Sequence, residues 1–133
     1  MADLTSLLTE FIHSSESNLQ LDFYSRKQVI LQIYKLTEVI KWNYGIENYI
    51  MDDFVVELTF NKSKIDNEGN KQRFLDTNLF SDFIKVDTVN TDSYWAGISK
   101  ELDLNQILMK IQRIIRSVYD LKDQPIEYSL TAY

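Results

Sequence analysis

Six aspartates, Asp52, Asp53, Asp76, Asp82, Asp87 and Asp92, are the residues of this chain whose type suits chemistry. Carboxylates brought together in space bind magnesium or serve as an acid–base pair, and the adjacent Asp52 and Asp53 stand directly before a strand-like stretch. Other chemistries lack their parts. The chain has no cysteine and a single histidine, His13, so thiolate nucleophiles, disulfides and histidine-pair metal sites are excluded. Its three glycines, Gly45, Gly69 and Gly97, are isolated, and none sits between a strand and a helix, so no phosphate-cradling loop or other cofactor motif is present. The polar run Asp66-Asn67-Glu68-Gly69-Asn70 suggests a calcium loop. With Gly69 at the required glycine, however, Lys64 takes the first ligand position and Leu75 the place of the bidentate acid, so that reading fails.

Charge limits the partners. The net charge of -6 falls wholly between Glu47 and Asp103, where twelve acids face six bases. Binding along a phosphate backbone needs a basic footprint, so direct nucleic-acid binding is not expected, whereas a basic protein partner is favoured. No apolar run is long enough to cross a bilayer as a helix, and the N-terminus has no basic segment leading into an apolar one. Cytoplasmic placement is therefore expected, within a virion or another large assembly as the variant.

The elements that must position these residues follow from periodicity. With 133 residues, 44% apolar and 26% charged, the chain is sized for one domain spanning residues 1–133. Asp3 caps a first helix with Leu4, Leu7, Leu8, Phe11 and Ile12 on one side, running to about Ser15. Leu19, Leu21 and Phe23 then alternate with polar residues in a short extended stretch. Ser25 and Gln28 form a capping box that predicts a second, long helix ending near Tyr44, apolar on more than one side and stopped by Gly45.

Phe54, Val56, Leu58 and Phe60 alternate as a strand, and Lys71 to Leu75 reads as its returning partner. A short helical turn around Leu79 and Phe80 leads to a strand with Ile84, Val86 and Thr88 on one side. Asn90 to Ser93 reads as a loop, and Tyr94-Trp95 as the approach to a last helix. That helix has the clearest pattern in the chain: Asp103 and Gln106 box its start, and Leu104, Ile107, Leu108, Ile111, Ile114, Ile115 and Val118 share a face. After Pro125, the alternation of Ile126, Tyr128 and Leu130 predicts an edge strand or arm over 125–133.

The expected fold is α+β: two N-terminal helices, a small mostly antiparallel sheet, a long C-terminal helix and a short terminal strand or arm. Aromatics at element ends, together with the acidic middle, point to a non-enzymatic protein that binds another protein. The first form expected is an acidic inhibitor of a basic partner, of the immunity-protein, antitoxin or anti-nuclease type. Its contact residues would be Asp52, Asp53, Glu57, Asp82, Asp87, Asp92, Tyr94, Trp95 and Tyr128. The second form is a structural subunit, self-associating or built into a phage particle or other assembly through the arm. A metal-dependent enzyme using the clustered carboxylates is third.

Overall fold

The computed structural model describes residues 3–25, 28–44, 53–62, 69–119 and 126–132. They form a six-stranded, wholly antiparallel sheet with four α-helices, an α+β arrangement. The strands are β1 (Leu19–Ser25), β2 (Gln28–Lys35), β3 (Phe54–Asn61), β4 (Ile84–Asp87), β5 (Thr91–Ile98) and β6 (Glu127–Ala132). Their order across the sheet is β4-β5-β3-β2-β1-β6. The helices are α1 (Leu4–His13), α2 (Glu38–Tyr44), α3 (Asn70–Asp76) and α4 (Leu104–Val118), with a 3-10 turn at Asn78–Asp82.

The expected order of two N-terminal helices ahead of a small sheet is corrected by β2. Residues 28–35 are a strand, and only Glu38–Tyr44 of the long predicted helix is helical. A bulge explains the misreading. Phe23 pairs with Leu31 and Tyr24 with Val29, so Ile30 is an extra residue in β2. The bulge breaks the two-residue alternation, letting Ile30 and Leu31 both face inward and leaving apolar residues at spacings that mimic a helix. β-branched Val29, Ile30 and Ile33 suit the extended backbone. Two further expectations are overturned. Lys71–Leu75 is helical and lies in α3. Residues 91–98, read as a loop and a helix approach, form β5, which is covered on both faces and so lacks the polar alternation of a strand with one wet side.

The main core lies between one sheet face and the layer of α1, α3 and α4. Leu8, Phe11, Leu21, Phe23, Ile33, Leu58, Phe74, Ile111 and Val118 are almost fully enclosed there. Asp3 caps α1 by accepting from the Ser6 N–H at 2.9 Å, and the reciprocal box of Asp103 and Gln106 closes the start of α4. Helix ends are tied to neighbouring elements by long cations, α1 to β2 and α4 to α3. Lys35 donates to the carbonyls of Ser14 and Glu16 just past α1, and Arg73 Nε donates to the last carbonyl of α4, Val118, at 2.9 Å. Tyr119 crosses the core to donate its hydroxyl to the Ile30 carbonyl at 2.5 Å, which satisfies a carbonyl at the bulge.

Candidate functional site

The second sheet face carries an extended row of polar contacts among the described residues. Cross-strand register sets Ser129, Asp22, Gln32, Glu57, Trp95 and Ile84 in one row over all six strands. Antiparallel neighbours in such a row point to the same side, so side chains distant in sequence meet. Asp22, 3% exposed, accepts from Gln20 Nε2 at 3.0 and 3.1 Å, from Gln32 Nε2 at 2.8 Å and from the Tyr24 hydroxyl at 3.3 Å. The Tyr34 hydroxyl lies 2.8 Å from Gln32 Oε1 and 3.0 Å from Glu57 Oε1. The Tyr34 ring stacks on Trp95, with centroids 5.9 Å apart and planes 10° from parallel.

This chain of contacts contains a proton count. A tyrosine hydroxyl has one hydrogen, yet both oxygens beside it are acceptors when Glu57 is ionised. Reversing the Gln32 amide does not help, because its oxygen would then face the Asp22 carboxylate. The Tyr34 hydroxyl therefore donates to one of the two at a time, toward Glu57 when that carboxyl is ionised, while Gln32 Nε2 donates to Asp22. Burial raises the Glu57 carboxyl above its ordinary value, against the opposing pull of hydrogen bonds from Tyr34, Ser93, Thr59 and Trp95.

α2 lies over one end of this face. Ile40 and Leu36 pack with Tyr34, Ile84 and Val86 around buried Val55 and Trp95. The opposite side of α2 is open. Val39 is 66% and Trp42 80% exposed, three residues apart on one helical side, with Glu38 beside them paired to Lys41 at 3.6 Å.

The carboxylates expected at a partner surface are dispersed. Asp53 stands before β3 and pairs with Lys100 at 3.7 Å, while Asp92 sits opposite Phe60 near the other end of that strand. Seven residues of strand separate the two levels by about 24 Å. Asp92 is buried under its own lysines: Lys71 at 2.5 Å, Lys62 at 3.6 Å and Lys85 at 3.7 Å. The Lys71 hydrogen bond chiefly holds the Asp92 carboxyl down at about 2. Asp87 pairs with Lys85 at 3.5 Å and Lys62 at 3.9 Å, and Asp82 is exposed at the end of the 3-10 turn. Asp52 lies outside the described residues, as do Gly45 and most of the Asp66–Asn70 run.

Tyr94 and Trp95, 2% and 4% exposed, point to opposite faces and occupy core positions instead of a surface. Tyr94 belongs to a ring cluster about Phe74, which meets Tyr94 at 4.9 Å, Phe83 at 5.0 Å and Phe80 at 5.7 Å. Tyr128 is half-buried on the edge strand, edge-on to Phe23 at 5.4 Å. Sequence reasoning named Glu57 but missed Asp22, Gln32 and Tyr34, whose association exists only through strand register. Among the described residues no three of His, Cys, Asp and Glu are grouped to hold a metal ion, and no helix is long and apolar enough to cross a membrane. Comparison with family models, curated proteins and solved structures finds no match to this chain.

Proposed function

We propose that this protein acts without catalysis by binding another protein, and that the Val39–Trp42 side of α2 anchors the contact. The observation that carries this reading is the 80% exposure of a tryptophan next to a 66% exposed valine on a helix whose other side is fixed to the sheet. Tryptophan supplies large apolar area at little conformational cost and is enriched at interface hot spots. Glu38, whose side chain is 93% exposed, borders the pair, so a partner with an apolar pocket and a basic rim fits best. This keeps the inhibitor of a basic protein as the leading form. The net charge of -6 supports it, although Asp87 and Asp92 are engaged by Lys62, Lys71 and Lys85. An assembly subunit is the second form, favoured by the edge position of β6.

The test is affinity capture from native lysate with the full chain and its Trp42→Ala variant, at low and high salt, followed by titration of the captured protein. A basic protein that the variant binds at least about 30-fold more weakly, as a hot-spot loss of roughly 2 kcal/mol implies, supports the reading. A partner bound equally by both chains moves the contact away from α2. Capture of the chain's own copies or of structural proteins selects the assembly form.

A further inference from the structure

We propose that β6 is a self-pairing edge, through which two copies of this chain join their sheets antiparallel about a two-fold axis at Ser129. The two edges of the sheet differ in their protection. β4 is four residues long and carries Lys85 and Asp87, the short and charged pattern that discourages strand addition. β6 is six residues long, Glu-Tyr-Ser-Leu-Thr-Ala, with no lysine or proline and its one charge at the first position. Its inner side pairs with β1 over six positions from Tyr24↔Glu127 to Leu19↔Ala132, and among the described residues no strand lies beyond it. Its outer backbone groups are therefore a template for another strand.

The sequence of β6 fits a second copy of itself. Residues directly opposite in an antiparallel pair point to the same face, so a self-pair that keeps the core side together must join residues of like parity. With Ser129 opposite Ser129 of the second copy, Tyr128 faces Leu130 and Ile126 faces Ala132, all toward the helix layer. Tyr128, Leu130 and Ile126 already pack against the main core and are only partly buried. A second copy would complete that cover. On the other face Glu127 meets Thr131, so no two like charges are opposed. The outcome is a continuous twelve-stranded sheet with an isologous interface. This contact is separate from the α2 surface, so each is tested without the other.

The absence of cysteine makes the test clean. In the full chain, Ser129→Cys places two thiols on the two-fold axis, where paired strands hold Cα atoms about 4.5–5.5 Å apart, within disulfide reach. The expected result is a dimer mass by light scattering for the unmodified chain and a covalent dimer of Ser129→Cys under mild oxidation, with Glu127→Cys remaining monomeric on a denaturing gel. Ser129→Lys should weaken the dimer by roughly tenfold or more while circular dichroism stays unchanged, because it sets like charges on the axis. A monomer mass at every concentration up to the millimolar range, or a dimer in which Ser129→Cys does not cross-link, overturns the proposal.

Discussion

Removing only the hydroxyl of Tyr34 tests whether the second face is held as one hydrogen-bonded unit. In Tyr34→Phe the ring that stacks on Trp95 is retained, so the change isolates one oxygen positioned 2.8 Å from Gln32 and 3.0 Å from Glu57. Each of those acceptors then loses a partner at a half-buried site, at about 1 kcal/mol apiece, for a total of about 2 kcal/mol. Unfolding entropy of about 2.1 cal/mol/K per residue over 133 residues converts this to a fall in Tm of about 7 °C. Urea denaturation followed by tryptophan fluorescence gives the free energy directly. A pH series supplies a second signature. Glu57 titrates higher in the folded chain than unfolded, so its contribution is fully present below the ordinary glutamate range and is lost as pH rises through the folded value. The Tyr34 hydrogen bond is the largest force holding that value down, so in Tyr34→Phe the loss should extend to higher pH. A Tyr34→Phe protein within 0.5 kcal/mol of the unmodified chain and with the same pH profile would refute the reading of this face as one hydrogen-bonded unit.

Glu57→Gln keeps an acceptor oxygen for the Tyr34 hydroxyl and removes the ionisation, so its stability should stay level where the unmodified chain declines with rising pH, as read by thermal melts in steps of pH. Asp92→Asn should behave in the opposite sense. Because Lys71 lowers the folded carboxyl from 3.8 to about 2, its contribution is present above pH 3.8 and lost as pH falls through 2, so the variant should lack that acid-induced loss in chemical denaturation at low pH. Phe74→Ala should cost about 3–5 kcal/mol by urea titration, since it empties the centre of a ring cluster reached by Phe60, Phe80, Phe83 and Tyr94. Trp42→Ala, by contrast, should change stability by no more than about 0.5 kcal/mol in the same assay, because its side chain is not part of the core.

What can be read in this sequence is what repeats within a few residues. α1 and α4 can be located because Asp3 and Asp103 cap them and their apolar residues follow a single helical period. β3 can be located because one of its sides begins with the alternation of a half-covered strand. β2 cannot, because the bulge at Ile30 shifts the alternation, and neither can β5, because helices cover one of its faces and α2 with Leu36 the other. The same limit governs the candidate site. Asp22 and Gln32 meet across one strand pair, and Glu57 joins them only when β3 docks on β2. Nothing in the local context of these residues distinguishes them from surface polar positions. An acidic stretch such as 47–103 suggests a surface patch when charges are counted along the chain. Folding places the described acids of that stretch in different surroundings, with Asp92 clamped by lysines, Glu57 held within the polar row, Asp103 capping α4 and Asp82 left in solvent. Charge along the chain therefore limits the choice of partner, while the contact itself depends on which side chains the packing leaves outside, and Trp42 is the largest of these on α2.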